Sequence, residues 1–132
     1  MHIRPVETDD EIESARVLLQ NANWGKRVAD PVVFRELITR SQMALAALDE
    51  RKVVGFLRAI TDGLFNGYIS MVVVAPECRG RGIGTALVRH AMGDNVEMTW
   101  VLRAGRDGVS AFYRKLGFSV SEVAMERPGQ RD

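Results

Sequence analysis

The sequence predicts an α/β protein (α+β in some schemes) built on a single mixed β-sheet with helices on both faces. Apolar runs in a hairpin-like order occupy the first half of the chain, and a strand–helix–strand order occupies the second half. The length of 132 residues, with 46% hydrophobic and 27% charged residues, is ordinary for one globular domain. We therefore expect one domain over residues 1–132.

The N-terminal part predicts a short strand and a first helix. The strand runs from His2 to Val6. Asp9 and Asp10 are residues of the type that caps a helix N-terminus, and apolar residues recur after them at helical spacing. These apolar residues are Ile12, Ala15, Leu19 and Ala22.

A loop over residues 21–30, NANWGKRVAD, leads to a second helix. Asp30 precedes Pro31, which is the order expected of an N-cap and a first helical position. The apolar residues that continue this helix are Phe34, Leu37 and Ile38.

The middle of the chain predicts a β-hairpin. The runs MALAAL (43–48) and VVGFLRAI (53–60) flank the polar DERK, as two paired strands flank their turn. The following segment, TDGLFNG, contains the turn dipeptides Asp62-Gly63 and Asn66-Gly67.

The strand from Tyr68 to Val74 follows this turn. Its run from Met71 onwards is continuously apolar, which predicts a central strand covered on both faces. A helix from Gly80 to about Met92 and a strand in MTWVL, residues 98–102, come next.

The C-terminal part predicts one more helix and a last strand. Four residues lie at helical spacing, Val109, Phe112, Tyr113 and Leu116. Gly117 is placed as a C-terminal cap, and the last strand runs from Phe118 to about Met125.

Composition narrows the function classes. A net charge of +1 argues against a nucleic-acid partner, and no apolar run reaches the roughly 20 residues of a membrane span. The single cysteine fits a reducing compartment, and the N-terminus does not resemble a signal peptide. We therefore expect a cytoplasmic protein with no membrane partner. Two histidines are too few and too scattered to predict a metal site.

The stretch MVVVAPECRGRGIGTALVRHAM carries the strongest functional signal, because a glycine-rich loop joins a strand to the start of a helix. A helix N-terminus exposes unpaired N–H groups, and glycines let a phosphate approach the backbone closely. Arg79 and Arg81 add positive charge. The pattern predicts a pyrophosphate site; the alternative is a tight turn with solvated arginines. Neither the Walker pattern nor the dinucleotide-binding fingerprint fits the spacing.

The loop resembles the central motif of the GNAT superfamily of N-acetyltransferases. That motif, [QR]-x-x-G-x-[GA] after a strand ending in V-x-P, corresponds here to residues 79–84 after Val74-Ala75-Pro76. A second signature, A-x-x-F-Y-x-x-x-G-F in its commonest form, appears as Ser110-Ala111-Phe112-Tyr113 running to Gly117-Phe118. The order of elements is similar along nearly the whole chain. The resemblance implies the GNAT fold, with one twisted and mostly antiparallel sheet.

The resemblance further implies acetyl-CoA as the cofactor. Its pyrophosphate would contact the loop and the pantetheine arm would lie along the strand, with a backbone N–H near Val72 facing the thioester carbonyl. The implied cofactor-binding residues are Met71, Val72, Val73, Val74, Arg79, Gly80, Arg81, Gly82, Ile83, Gly84, Thr85, Ser110 and Phe112.

Tyr113 matches the family's general acid, which protonates the departing thiolate. The alternative is a packed tyrosine whose hydroxyl bonds a carbonyl. The family's glutamate base, eleven residues before Arg79, is replaced here by Tyr68. Asp62 could accept the amine proton through water, but an Asp-Gly turn explains it more simply, and a dedicated base need not exist.

The acceptor pocket is expected where the early loops meet the strand ends. Its candidate residues are Trp24, Asp62, Phe65 and Tyr68. Arg103 and Arg106 either reach the adenosine phosphates or lie in a solvated loop. Cys78 has no histidine placed near it by a motif, so covalent catalysis is not expected.

The function predicted is acetyl transfer from acetyl-CoA to a primary amine of a small molecule, by direct attack in a ternary complex. The alternatives are transfer to a protein N-terminus or lysine, and a CoA-binding sensor without activity. Many relatives have two strands after the G-F signature, whereas this sequence leaves room for one. A homodimer that covers the exposed edge is therefore plausible.

Overall fold

The computed structural model describes residues 1–105 and 109–130. The elements in this part of the chain are β1 (His2–Pro5), α1 (Asp9–Asn21), α2 (Pro31–Thr39), β2 (Met43–Asp49), β3 (Lys52–Thr61), β4 (Asn66–Val74), α3 (Ile83–Met92), β5 (Thr99–Leu102) and α4 (Val109–Arg114). Short 3-10 turns lie at Gly25–Val28 and Pro76–Cys78. Within the described ranges, no helix has the length and apolar character needed to cross a membrane.

The five strands form one sheet in the order β1-β2-β3-β4-β5. The first three pairings are antiparallel, and β4 pairs with β5 in parallel. The prediction of a mixed, mostly antiparallel sheet is confirmed. The hairpin is also confirmed, and the left-handed φ angles of Glu50 and Arg51 (49° and 74°) form its two-residue turn.

Helices cover both faces of the sheet, as predicted. On the first face, the α1–α2 face, Leu19 of α1 and Phe34 of α2 pack against Phe56 of β3. The rings of Phe34 and Phe56 are 6.2 Å apart. On the opposite face, the α3–α4 face, Leu87 of α3 and Tyr113 of α4 belong to the larger apolar cluster. Burial of these two apolar layers stabilises the fold.

Side-chain caps fix where the first two helices begin. Asp30 Oδ1 accepts a hydrogen bond from Val32 N at 2.9 Å, so the predicted N-cap of α2 is confirmed. The predicted cap of α1 is wrong by one residue. Thr8 is the N-cap, and its Oγ1 accepts from Glu11 N at 3.1 Å, which leaves Asp9 and Asp10 in the first turn, where acidic side chains complement the helix dipole.

Strand β4 is an interior strand, fourth of five, and it carries an irregularity near Ser70. Ala59 lies opposite Ile69 and Arg58 lies opposite Met71, so Ser70 is an extra residue. Ile69 packs on the α3–α4 face, whereas Met71 packs on the α1–α2 face. The bulge therefore changes which side chains of β4 face each helical layer.

Strands β4 and β5 separate beyond this bulge. Their parallel pairing runs from Asn66 opposite Thr99 to Ile69 opposite Leu102. From Ser70 to Val74, no strand of the described residues pairs with β4 on the β5 side. The separation leaves backbone groups of β4 facing an opening in the sheet.

Two boundary predictions are wrong at glycines. Helix α3 begins at Ile83 rather than at Gly80, because Gly82 takes the N-cap position with a left-handed φ of 79°. Asn66-Gly67 does not form a turn but opens β4. The ring of Trp100 lies directly over Gly67, so this glycine is required by packing.

The prediction of a last strand from Phe118 to about Met125 is wrong. The backbone of residues 118–130 forms no strand. Ser121 Oγ instead accepts hydrogen bonds from Val123 N at 3.1 Å and Ala124 N at 2.9 Å, which bends the chain locally. Met125 is 98% exposed, so this segment lacks the burial that stabilises a strand. Gly117, with φ of 95°, ends the preceding helical turn as predicted.

Replacing Gly67 by alanine is expected to destabilise the protein by about 1–3 kcal/mol, because the added Cβ overlaps the Trp100 ring, with Cη2 at 2.7 Å. Urea unfolding of Gly67→Ala measures this loss. Gly105→Ala is the matched control, since its Cβ meets nothing within 4 Å. Equal stability of the two variants would contradict the packing argument.

Candidate active site

A cavity of about 610 Å³ opens where β4 and β5 separate. It lies between the end of β4, the start of α3, helix α4 and the connection between α1 and α2. Its lining residues are Ala22, Trp24, Val72, Val73, Val74, Cys78, Arg79, Gly80, Gly82, Ile83, Gly84, Thr85, Val109, Phe112 and Tyr113.

The N-terminus of α3 forms one wall of this cavity. Gly80 and Gly82 have left-handed φ angles of 80° and 79°, and a Cβ at either position would meet nothing within 4 Å. No side chain of the described residues caps the helix, and the first intrahelical bond is Ala86 N to Gly82 O at 3.0 Å. The N–H groups from Ile83 to Thr85 therefore have no acceptor among the described residues and are available to an anion.

Close packing between α3 and α4 forms the adjacent wall. A Cβ on Gly84 would lie 3.3 Å from Phe112 Cζ and 3.6 Å from Val74 Cγ2. Gly84 therefore allows the aromatic ring of Phe112 to lie against the start of α3, and both residues border the cavity.

Tyr113 lines the cavity and is 8% exposed. Its ring makes edge contacts with Phe112, at 4.9 Å between centroids, and with Phe118, at 5.6 Å. Burial raises the pKa of Tyr113 above its ordinary value. Its hydroxyl forms no hydrogen bond with residues 1–105 or 109–130, which removes the carbonyl-bonded alternative within those ranges.

Some of the residues predicted to bind the cofactor line the cavity, and others do not. Val72, Val73 and Val74 line the cavity, whereas Met71 is buried in the core of the α1–α2 face. Arg79 lines it, but Arg81 is exposed outside it.

For Ser110 and three further residues, the cavity lining differs from the set predicted from the sequence. Ser110 does not border the cavity, and its Oγ accepts from Arg114 Nε at 3.3 Å. Ala22, Cys78 and Val109 border the cavity, although no motif assigns them to it. Val109 lies one helical turn before Tyr113, so helical spacing contains a signal for it; Ala22 depends on the tertiary packing of its loop.

The acceptor candidates lie in two places. Trp24 lines the cavity from the connection between α1 and α2. Asp62, Phe65 and Tyr68 lie at the other end of β4 and do not line it. Asp62 Oδ1 accepts from Asn66 N at 3.0 Å and from Leu64 N and Phe65 N at 2.8 Å, and these hydrogen bonds lower the pKa of Asp62 to about 2. These bonds account for Asp62 as a turn residue.

Of the two arginines expected after β5, Arg103 forms an ion pair with Glu126 at 2.8 Å. Arg106 lies outside the described residues. The pair ties the C-terminal segment to the end of β5 on the protein surface.

Sequence comparison identifies the domain type. Residues 40–120, which are 81 of the 132 in the chain, match the model of the acetyltransferase (GNAT) domain. The chain is 35% identical over 74 residues to serotonin N-acetyltransferase 2, chloroplastic, of Oryza sativa subsp. japonica, covering 54% of this chain and 37% of that protein. It is 27% identical over 88 residues to peptidyl-lysine N-acetyltransferase YjaB of Escherichia coli K12, covering 66% and 56%. The aligned part thus spans less than two thirds of each of these two curated relatives.

Structural comparison gives the same fold. The GNAT-family acetyltransferase SP0256 of Streptococcus pneumoniae TIGR4 superposes with a TM-score of 0.76 at 21% identity, over 98% of this chain and 97% of that one. An aminoglycoside 6'-N-acetyltransferase complexed with coenzyme A superposes with a TM-score of 0.59 at 26% identity, over 69% of this chain and 53% of that one.

Gly82→Ala is expected to weaken binding of CoA by about tenfold or more, which corresponds to about 1.4 kcal/mol, because alanine disfavours the left-handed φ that presents the N–H groups of α3. Isothermal titration with CoA measures the change.

Gly63→Ala is the matched control for this variant. Gly63 has a similar φ of 74° and similar open space, but it lies away from the cavity. Both variants should lose comparable stability. If Gly63→Ala weakened CoA binding as much as Gly82→Ala, the loss would come from general destabilisation rather than from the cavity wall.

Proposed function

The chain belongs to the GNAT family of acetyltransferases, and we propose that it transfers the acetyl group of acetyl-CoA to a primary amine of a small molecule by direct attack in a ternary complex. One observation carries this proposal. A single cavity connects an uncapped helix N-terminus, suited to a pyrophosphate, with a buried tyrosine hydroxyl that lacks a partner in the described ranges.

The cavity residues fit acetyl-CoA, the cofactor of the family. In this proposal the N–H groups of Ile83, Gly84 and Thr85 bind the pyrophosphate, and Arg79 adds a positive charge. The edge of β4 left open beyond Ile69 binds the amide groups of the pantetheine arm as an added strand would. Bound acetyl-CoA supplies an acetyl group already activated as a thioester.

Two groups of this chain would act on the reaction. A backbone N–H near Val72 donates to the thioester carbonyl oxygen, which stabilises the negative charge that develops there. The Tyr113 hydroxyl donates its proton to the departing sulfur. The raised pKa of Tyr113 keeps that proton in place at neutral pH.

We propose no dedicated general base. Asp62, with a pKa of about 2 and three backbone N–H donors on one oxygen, is a poor proton acceptor. A bound amine would then lose its proton to solvent through the open cavity.

The acceptor class is the finer part of the proposal. The name of the Oryza sativa relative specifies serotonin, a small amine, while the name of the Escherichia coli relative specifies a peptidyl lysine. We favour a small amine because Trp24, half-buried in the cavity wall, gives a flat apolar surface for one. Release of free thiol from acetyl-CoA with serotonin-like amines and with lysine peptides, side by side, compares the two classes.

Tyr113→Phe is expected to lower kcat by about 10²- to 10⁴-fold, because it removes the proton donor while keeping the buried ring. Thiol release measures kcat, and titration with CoA is the control, in which affinity should stay within about twofold. A variant that retained full turnover would exclude Tyr113 as the acid.

A wild-type protein that binds CoA but releases no thiol with any amine would favour the sensor alternative.

The pH profile tests the same group. Because burial raises the pKa of Tyr113, the acid stays protonated and kcat should not fall with increasing pH below about pH 10. Turnover should instead increase as the amine substrate loses its proton. A decrease between about pH 8 and 9 that disappears in Tyr113→Phe would show that Tyr113 ionises early and contradict this assignment.

The homodimer remains a proposal. Among the described residues no strand pairs with the outer edge of β5, so a second copy could cover that edge. The molar mass in solution, from light scattering, tests it directly.

A further inference from the structure

Arg58 of β3 is a buried charge whose partners in the described chain are incomplete. It is 8% exposed and lies on the α1–α2 face, the same face as Phe56 two residues earlier. Its Nε donates to Ser41 Oγ at 2.7 Å. In residues 1–105 and 109–130, no acceptor bonds Nη1 or Nη2 and no carboxylate forms an ion pair with Arg58.

Arg16 shows how this fold satisfies a buried arginine that only holds structure. It is 9% exposed, and its Nε and Nη2 donate to the two carboxylate oxygens of Glu13, each at 2.7 Å. Its Nη1 donates to Val28 O at 3.0 Å and to Gln20 Oε1 at 3.1 Å. Nη1 and Nη2 of Arg58 have no such set among the described residues, and neither nitrogen is fully buried, so both are accessible to an anion that compensates the charge.

The surroundings of Arg58 favour an anion. Burial is the main cause that lowers the pKa of Arg58, and the positive charge of Arg27 is the second; Tyr68 acts in the opposite direction. Tyr68 precedes Ile69 of the α3–α4 face, so alternation puts it on the same face as Arg58. Among the described residues, the titratable side chains that act on Arg58 are those of Arg27 and Tyr68, and neither is a carboxylate.

Arg58 does not line the cavity of the proposed reaction site, but it lies on the strand next to β4, which does. It is opposite Met71, the residue before Val72, and neighbouring strands are about 4.8 Å apart. The connection between α1 and α2 links the two places, because Trp24 lines the cavity and Arg27 follows within the same short turn.

We propose that Arg58 binds a carboxylate of the acceptor, so that the substrate is a small amine that also carries a carboxylate. This inference rests on the proposed function. A carboxylate has one negative charge and two coplanar oxygens, which match the two outer nitrogens of a guanidinium while Nε stays bonded to Ser41. One such group neutralises Arg58 without leaving excess buried charge.

Matched acceptors test the proposal on the unaltered protein. Amino acids and dipeptides are compared with their C-terminal amides, which differ in charge but hardly in shape, using thiol release from acetyl-CoA. The acids are expected to have a kcat/KM at least about 30-fold higher than the amides. Equal values for acids and amides would overturn the proposal.

Substitutions test whether Arg58 causes that preference. Arg58→Met should abolish the preference for acids, and Arg58→Lys should restore part of it because the charge remains without the planar fork. Arg40→Met is the control for loss of a nearby positive charge, since Arg40 is exposed and paired with Glu36; it should leave the preference unchanged. A preference that survives in folded Arg58→Met would overturn the assignment.

Binding measured without turnover separates this inference from the proposed function. N-acetylated amino acids are titrated into the protein with CoA present, and saturable binding that Arg58→Met loses supports the carboxylate site even if no amine is acetylated. Thiol release with amines, but equal binding of acids and amides, overturns the carboxylate site and leaves the proposed function standing. The acid–amide comparison on unaltered protein holds even if Arg58→Met does not fold.

Discussion

The site depends on the loss of pairing between β4 and β5 after Ile69. Up to that point β4 has a partner strand on each side; beyond it, β3 is the only described strand that pairs with β4. The extra residue Ser70 lies at the same point and turns Met71 and Val73 towards the α1–α2 face. A continuous, flat sheet would fill the space between the strands with hydrogen bonds. The separation instead gives an internal strand an unpaired edge that a ligand can use.

At the start of α3, next to that opening, glycines determine the shape of the site more than charged side chains do. Left-handed backbone at Gly80 and Gly82 lets the chain turn sharply from the strand into α3, and it leaves the first N–H groups facing the cavity. Gly84 then lets Phe112 pack against the helix, and Tyr113, the next residue, lines the same cavity. Packing between α3 and α4 thus places the anion wall and the candidate acid in one cavity.

Local signals in the sequence predict local features well. Spacing and caps predict β2, β3 and α2, and the two signatures point to the glycine loop and to Tyr113. The wrong predictions of secondary structure lie in segments whose conformation is decided by tertiary contacts. Asn66-Gly67 has turn chemistry, but Trp100 above it makes Gly67 a packing residue. The segment after Phe118 has apolar residues suited to a strand, but Ser121 bends the backbone and the segment stays exposed. Turn and strand propensities describe a segment in isolation. The packing of Gly67 under Trp100 and the exposure of the segment after Phe118 depend on the rest of the folded chain.

The same reasoning explains why no motif points to Arg58. In the run VVGFLRAI an arginine on a strand is most simply expected on a solvated face, and its burial follows only from how α2 ends above β3. Arg16, equally buried, ties α1 to the connection that carries Trp24, so its charge is used within the fold. Arg58 has the same guanidinium group, but residues 1–105 and 109–130 give its outer nitrogens no comparable partners. Because a buried charge needs compensation, the difference between these two arginines is evidence about the ligand, obtained from the protein's own hydrogen-bond pattern.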